Sequence, residues 1–443
     1  MSDTGHLVRT IGREPAPQRD GLAGRVVERL VDDLDVRALD RLAPDERRAH
    51  VEGAVARVLA EIDPGVAGLL RQEVIAEVVD EVLGFGPIQP LLNDPDITEI
   101  MVNGPSEVFY EREGMLYVSA VRFRDAEHIR RIADRITGPL GRRLDESSPM
   151  VDARLPDGSR VNVVLPPVAV HSPTITIRKF RTDRYDVEDL VKIGTITREV
   201  AGFLRACVVS KVNIVISGGT GTGKTTFLNA LSAFIPRQER VVTIEDPMEI
   251  RLRQPHVVTL EARPPAGEGR GEVTQRDLVR NALRMRPDRI IVGEVRSAEA
   301  FDMMQAMNTG HEGSVTTVHA NSPRDALSRI ENMVLMAGFE LPALAIRQQM
   351  ASALHMIVQI SRMVDGTRRV TAVTEVVGLE GDIVAIQDVF KFTGQALDHD
   401  GRVTGRLEPT GVRPRFADRF RAFGVSEDWI EPPRIAAGVG VAL

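Results

Sequence analysis

The sequence is poor in cysteine and in aromatic residues. Its 443 residues include a single cysteine, and phenylalanine, tryptophan and tyrosine together make up 4% of the chain. One cysteine excludes a disulfide framework and any zinc site built from several cysteines, which fits a cytoplasmic protein. The scarcity of aromatic rings leaves few surfaces on which single-stranded bases can stack.

The chain also lacks an excess of positive charge and any long apolar run. A formal net charge of -7 argues against a dedicated nucleic-acid binder. No stretch approaches the length of a membrane-spanning helix. The N-terminal segment Met1–Asp20 is polar, contains Pro15 and Pro17, and has no apolar block of the kind that a signal peptide requires. We therefore expect a cytoplasmic protein, and the composition argues against binding to nucleic acid.

Hydrophobic periodicity divides the chain into segments of different structure. Apolar residues first recur at helical spacing, then fall into short strands around one helix, and then form wholly apolar strands that alternate with helices, as a parallel sheet requires. The predicted segments are a disordered tail (residues 1–20), a helical N-terminal domain (21–83), an α+β N-terminal domain (84–181), an α/β domain (182–395) and a C-terminal tail (396–443). The C-terminal tail is predicted to have little structure beyond a possible helix near 417–423.

Individual elements can be predicted within these domains. In the α+β domain the pattern predicts one helix at Asp125–Ile136 and strands at Glu99–Val102, Glu107–Tyr110, Val161–Leu165 and Thr174–Phe180. In the α/β domain the predicted strands are Ile214–Ile216, Val241–Ile244, Ile290–Val292 and Val315–Val318.

The most specific motif is a glycine-rich loop between an apolar strand and a helix-like segment. Its residues are Gly218, Gly219, Thr220, Gly221, Thr222, Gly223, Lys224, Thr225 and Thr226. With this spacing, backbone amides wrap a diphosphate or triphosphate at the N-terminus of a helix. Lys224 would reach the β and γ phosphates, and the Thr225 hydroxyl can bind Mg²⁺. The chain is therefore predicted to bind a nucleoside triphosphate.

Acidic residues follow the next apolar strand, where they can act beside a bound triphosphate. Carboxylates at Glu245, Asp246 and Glu249 can hold waters of Mg²⁺ or orient the attacking water, although acids also occur in ordinary solvated turns. Glu294 follows the strand Ile290–Val292, where phosphate-loop enzymes place the acid that meets the water shell of the metal.

Two histidines flank the last of these strands. His311-Glu312 is no zinc peptidase motif, because the second histidine would have to stand at position 315, which is valine. Histidines beside a nucleotide site can sense the γ phosphate by donating hydrogen bonds, but isolated histidines are more often structural. The residues alone do not decide between these roles for His311 and His319.

In order along the chain, these motifs resemble those of the type II and type IV secretion ATPases, and most of all the CpaF/TadA branch, the motor ATPases of Flp (tight-adherence) pili. The resemblance covers roughly residues 70 to 395. It rests on the phosphate loop and on Leu83–Leu92, Asp96–Gly104, Asp152–Val164, Glu245–Glu249, Arg284–Arg296 and Thr309–Ser322.

The resemblance implies a RecA-like ATPase domain with a smaller, PAS-like N-terminal domain, assembled as a homo-hexamer that uses ATP and Mg²⁺. It implies that Glu249 activates water, with Glu245 and Asp246 as further candidates, and that Glu294 is the Walker B acid, acting on Mg²⁺ through water together with Thr225. His311 and His319 fall on the histidine box of the family. Arg160 and Arg178 fall on the arginines that the N-terminal domain points at the γ phosphate, although alone they read as surface arginines.

The implied function is a motor on the inner face of the membrane, peripherally bound to a pilus or secretion platform protein. The four-cysteine element of type II secretion ATPases is missing, so no zinc is expected. The interval between the two histidines is one residue longer than in pilus retraction motors, which weakens that specific assignment. Two alternatives stay open: a DNA-translocating RecA-type ATPase, and a nucleotide-dependent assembly switch with little turnover.

Overall fold

The computed structural model describes residues 17–33, 39, 41–66, 68–112, 114–140, 143–180, 185–263 and 271–425. The chain forms two compact units, Met1–Thr182 and Asp183–Leu443. Most of the predicted disordered tail at residues 1–20 lies outside the described residues, but a helix already begins at Pro17. Within the described residues, no helix combines the length and the apolar composition needed to cross a membrane.

The first unit begins with a small helical core. Its helices are α1 (Pro17–Asp33), α2 (Pro44–Ile62) and α3 (Gly68–Leu83). The residues that recur at helical spacing face one another and are fully buried, as the amphipathic pattern predicts. They include Val26, Leu30, Val51, Val55, Leu59, Val74 and Val78.

A six-stranded antiparallel sheet with one long helix on it completes this unit. The elements are α4 (Gln89–Asn93), β1 (Ile97–Gly104), β2 (Glu107–Arg112), β3 (Met115–Val118), α5 (Ala126–Thr137), β4 (Met150–Arg154), β5 (Arg160–Val164) and β6 (Thr174–Arg178). The strand order is β3-β2-β1-β6-β5-β4. Helix α5 begins where the Asp125 side chain accepts a hydrogen bond from the His128 amide at 2.7 Å. The predicted strands and helix of this region are confirmed.

The second unit is built on a nine-stranded mixed sheet. Its elements are α6 (Val187–Lys192), α7 (Arg198–Val209), β7 (Ile214–Gly218), α8 (Lys224–Ser232), β8 (Val241–Glu245), β9 (Val257–Glu261), α9 (Gln275–Ala282), β10 (Arg289–Val292), α10 (Glu299–Asn308), β11 (Val315–Val318), α11 (Pro323–Met336), α12 (Ala343–Ala353), β12 (Met356–Arg362), β13 (Arg368–Glu380), β14 (Ile383–Leu397), β15 (Val403–Pro409) and α13 (Asp418–Ala422). The strand order is β15-β14-β13-β12-β7-β11-β10-β8-β9.

Six neighbouring strands, from β12 to β9 in this order, are parallel. Every residue of β7, β8, β10 and β11 is buried, because hydrophobic clusters cover both faces of the sheet. The predicted strands of this domain are confirmed. Since the strands are parallel, their carboxyl ends meet at one edge of the sheet, and the predicted phosphate loop and both acidic segments follow those ends.

The structure differs from the sequence prediction at the C-terminal side of this sheet. Strands β13, β14 and β15 extend it by antiparallel pairing, and we call residues 368–409 the antiparallel wing. The prediction of little structure after residue 396 was wrong for β15, whereas the helix predicted near 417–423 is present as α13. Leu407 of β15 and Phe420 of α13 are buried in the same hydrophobic cluster as Phe203 of α7. Strand β15 is short and is stabilised by this distant core, so no local pattern predicts it. Residues 426–443 lie outside the described part of the chain.

Candidate functional site

The phosphate loop, Gly218–Thr226, connects β7 to α8 and requires glycine at several positions. Gly221 and Gly223 have φ values of 69° and 89°, in the left-handed region that favours glycine. A Cβ on Gly218 would lie 2.7 Å from the Ile360 carbonyl oxygen of the neighbouring strand β12. The backbone therefore takes a course that side chains at these positions would prevent.

Hydrogen-bond donors and a positive charge converge on this loop. The Lys224 Nζ donates to the carbonyl oxygen of Gly219 at 3.0 Å, and the Thr222 hydroxyl donates to the same oxygen at 3.0 Å. Because α8 begins at Lys224, its first amides have no acceptor within the helix and form the positive end of the helix dipole. This combination suits a phosphate group.

The two glutamates of the first acidic segment make different contacts. The Thr225 hydroxyl donates to Oε2 of Glu249 at 3.1 Å, so the Glu249 carboxylate lies directly beside the phosphate loop. Glu245 is 2% exposed, and its Oε2 accepts hydrogen bonds from the amides of Glu249 and Ile250 at 2.6 and 2.7 Å. Glu245 therefore fixes the backbone that carries Glu249, whereas the third acid, Asp246, is exposed.

Burial also changes the protonation of Glu245. Burial raises its pKa to about 7, although the two amide hydrogen bonds oppose that shift. Its other oxygen, Oε1, is buried and has no hydrogen-bond partner, as suits a carboxyl group that can hold a proton. Gly293 allows the close approach of β10, because a Cβ there would lie 3.0 Å from Cγ of Glu245.

Glu294 follows β10 at the same edge of the sheet. The preceding Gly293 amide donates to the Ile244 carbonyl oxygen at 2.8 Å, which holds this segment beside β8. Glu294 Oε2 accepts a hydrogen bond from Arg296 Nη2 at 2.7 Å, and this contact raises the pKa of Arg296. Arg296 is thus a direct partner of the predicted acid.

The structure places the two predicted histidines at opposite edges of the sheet. His319 follows the carboxyl end of β11, where burial and then the charge of Lys224 lower its pKa, so the ring is neutral at pH 7. His311 precedes β11, and the amide of the nearby Gly313 donates to Asn213 Oδ1, ahead of β7, at 2.8 Å. His311 therefore lies at the opposite edge of this sheet from His319, because the four-residue strand β11 separates them.

The two predicted arginines of the first unit are direct neighbours. Arg160 of β5 lies opposite Arg178 of β6 in the antiparallel register. Arg178 also lies opposite Glu99 of β1, and its Nε is 3.8 Å from Glu99 Oε1. Burial and the nearby Glu111 raise the pKa of Glu99, and the charge of Arg178 opposes this rise. The sheet thus gathers two positive charges at one place.

One arginine that the sequence did not single out contacts the phosphate loop. Arg368 begins the antiparallel wing, and its Nε donates to the Gly221 carbonyl oxygen at 2.8 Å. The two residues are 147 positions apart, and Arg368 belongs to no motif that could have revealed this contact.

The assembled groups fit a nucleotide together with Mg²⁺. Mg²⁺ prefers oxygen ligands and is bound in such sites by one or two protein groups plus phosphate oxygens and water. The Thr225 hydroxyl and the carboxylates of Glu249 and Glu294 are oxygen donors of this kind. Among the described residues, no group of three or more histidine, cysteine, aspartate or glutamate side chains is arranged to hold a metal ion by itself, so the phosphate groups would have to complete the coordination.

Comparison with known proteins gives a consistent family match. Residues 81–403 match the family model described as "Type II/IV secretion system protein". A Mycobacterium tuberculosis protein assigned provisionally to conjugal transfer is 39% identical over 312 residues, which cover 69% of this chain and 88% of the relative. The type IV secretion system protein VirB11 of Brucella suis is 34% identical over 311 residues, covering 64% of this chain and 86% of that protein.

A solved structure also aligns with the chain. The crystal structure of the VirB11 ATPase from the Brucella suis type IV secretion system, in complex with sulphate, has 33% sequence identity and a TM-score of 0.36. It covers 65% of this chain and 94% of that protein.

Proposed function

Because the chain belongs to the type II/IV secretion system protein family, we propose that it is a Mg²⁺-dependent ATPase of the secretion and pilus motor type. The observation that carries this proposal is the contact between Thr225 and Glu249, which joins the phosphate loop to an acid at the carboxyl edge of the sheet. That arrangement suits hydrolysis, because an acid beside the terminal phosphate can orient the attacking water.

The residues divide the chemistry among them. Lys224 and the loop amides would bind the phosphate groups, and Thr225 and Glu294 would hold Mg²⁺, Glu294 through water. When bound, Mg²⁺ supplies positive charge that stabilises the charge on the phosphate oxygens. Glu249 orients the water, and the neutral His319 can donate a hydrogen bond to a phosphate oxygen.

Arg160 and Arg178 complete the proposed mechanism. We infer that the PAS-like first unit brings these two arginines to the γ phosphate bound by the RecA-like second unit, where their charge stabilises the transition state. Their adjacency in the sheet supports this role, since it concentrates two positive charges on one patch. Hydrolysis then releases the closure of the two units, and this rigid-body motion is the mechanical output.

At the level of the cell, we propose a homo-hexamer that works at the cytoplasmic face of the inner membrane. It would associate peripherally with a platform protein there and drive pilus assembly, pilus retraction or secretion. The motifs quoted above favour the CpaF branch of Flp pilus motors.

Measurement of ATP turnover by purified protein in the presence of Mg²⁺ tests the proposed activity. We expect Lys224→Ala to abolish nucleotide binding, and Glu249→Gln and Glu294→Gln to bind ATP without turning it over. Glu340→Gln is the matched control, because it changes an exposed glutamate in the turn before α12. We expect its turnover to equal that of the wild type.

Three outcomes would contradict the proposal. Normal turnover in both Glu249→Gln and Glu294→Gln would remove the catalytic assignment. ATP binding without turnover by the wild-type protein would favour an assembly switch. Turnover that depends on added DNA would favour a DNA-translocating ATPase.

A further inference from the structure

The turn between β12 and β13 brings an arginine of the antiparallel wing onto the phosphate loop. Arg368 Nε donates to the Gly221 carbonyl oxygen at 2.8 Å. The Arg368 Cδ also lies 3.5 Å from the position that a Cβ on Gly223 would take, so the stem of the side chain covers this part of the loop. The contact therefore fixes the backbone of the loop from the side of the wing.

Several hydrogen bonds hold Arg368 in this place. The Asp365 carboxylate accepts from the Thr367 amide and hydroxyl at 3.0 and 2.6 Å, and from the Val403 amide of β15 at 2.7 Å. These bonds lower the pKa of Asp365 to about 2, so the carboxylate stays charged at neutral pH. The turn before Arg368 is thereby tied to the third strand of the wing.

Strand β12, which precedes this turn, holds the start of the phosphate loop. Ile360 of β12 lies opposite Gly218, the first residue of the phosphate loop, in the parallel register. The chain runs only from Ile360 to Arg368 between this pairing and the contact at Gly221. The start and the centre of the loop are therefore held by the same hairpin.

A fixed carbonyl determines the direction of the amide that follows it. The peptide unit is planar and trans, so the Gly221 carbonyl and the Thr222 N–H point in opposite directions. Gly221 has a φ of 69° and, as glycine, has access to many other conformations. When Arg368 holds the carbonyl on one side, the Thr222 amide is aimed at the opposite side, where such loops bind phosphate.

We propose that Arg368 is a positioning residue of the phosphate loop, through which the antiparallel wing sets the affinity of the site for nucleotides. This inference rests on the proposed function, since it assumes that the loop binds the phosphates of ATP and ADP. Arg368 acts on the nucleotide through the Gly221–Thr222 peptide and takes no part in the chemical step.

The test compares Arg368→Ala and Arg368→Lys with the matched control Arg406→Ala. Arg406 is another arginine of the wing, paired with Glu408, and its side chain is 78% exposed. Hydrogen exchange of the loop amides is measured without nucleotide, and the Kd values for ATP and ADP are measured with Mg²⁺.

We expect Arg368→Ala to accelerate exchange at residues 219–223 and to raise both Kd values about tenfold, as the loss of a charge-assisted hydrogen bond predicts. Arg368→Lys should fall between this variant and the wild type, because the ammonium group can still donate to the carbonyl. Arg406→Ala should change neither quantity.

Unchanged loop exchange in Arg368→Ala would overturn the proposal, whether or not the affinity falls. A lower affinity with unchanged exchange would mean that the arginine contacts the nucleotide directly. Equal changes in Arg406→Ala would also refute it, because they would reflect a general weakening of the wing. A wild-type protein that binds no ATP would refute the proposed function and, with it, the effect of Arg368 on nucleotide affinity. Because exchange is measured without nucleotide, unchanged exchange with normal ATP binding would refute the role of Arg368 alone.

Discussion

Replacement of Glu245 by glutamine tests the assignment of roles within the acidic segment. The side-chain oxygen of glutamine can still accept the two hydrogen bonds that Glu245 Oε2 receives from the amides of Glu249 and Ile250. The substitution therefore keeps the backbone contact and removes only the ionisable group. If Glu245 positions Glu249, the variant should still hydrolyse ATP.

The expected effect on stability follows from the raised pKa. Burial raises the pKa of Glu245 from 4.5 to about 7, so the folded state favours the protonated form. Below pH 4.5 both states carry the proton, and the contribution to stability is fully present. As the pH rises toward 7, the unfolded state loses its proton first, and the wild type loses about 3 kcal/mol of folding free energy. Glutamine does not titrate, so the variant avoids this loss.

Urea unfolding at pH 5 and pH 8, followed by circular dichroism without nucleotide, measures the difference. We expect the free energy of unfolding of Glu245→Gln, relative to that of the wild type, to rise by about 2.5 kcal/mol between these pH values. The comparison cancels the titration of all other groups, since both proteins share them. Glu340→Gln, which alters an exposed carboxyl, should show no such rise.

Two results would refute this reasoning. An equal difference in unfolding free energy at both pH values would show that the pKa of Glu245 is not raised. Loss of ATP turnover in Glu245→Gln as complete as that in Glu249→Gln would show that Glu245 itself takes part in the reaction.

Three further substitutions test packing and charge. Gly218→Ala should impair both folding and nucleotide binding, because its Cβ would lie 2.7 Å from the Ile360 carbonyl oxygen. Thermal unfolding and ADP titration measure these two effects. Unchanged affinity for ADP would contradict the geometry of the loop. Phe203→Ala should lower the unfolding free energy by about 3 to 5 kcal/mol by opening a cavity in the core, and a loss below about 1 kcal/mol would mean that the C-terminal helix does not pack there. Arg289 is fully buried and paired with Glu239. Arg289→Ala should therefore lower the free energy of unfolding in urea by about 3 to 5 kcal/mol. An unchanged free energy of unfolding would show that Glu239 is not buried with Arg289.

Local sequence was sufficient for the centre of the site. The phosphate loop could be predicted because glycine spacing, the following lysine and the preceding apolar strand all lie within about fifteen residues. The strands β7, β8, β10 and β11 could be predicted because both faces of each are covered, which requires continuous apolar runs. The acid at Glu294 followed from its place after β10.

Contacts between distant segments could not be predicted in the same way. The residues alone did not choose among Glu245, Asp246 and Glu249, although the family resemblance favoured Glu249. Only the structure shows that Glu249 contacts Thr225 whereas Glu245 is buried. Side-chain direction at the end of a strand depends on what packs against it. The same holds for Arg368, whose contact with the loop depends on the pairing of the wing with β12.

The sequence by itself thus determined the kind of ligand that this protein is expected to bind, because the residues that recognise phosphate are contiguous in the chain. It also determined which strands are buried, since burial on both faces leaves a local pattern. Only the tertiary structure decided which acid meets the loop, which histidine lies beside it and how the wing holds it. Those relations join residues up to 147 positions apart, and local propensity carries no information about such pairs.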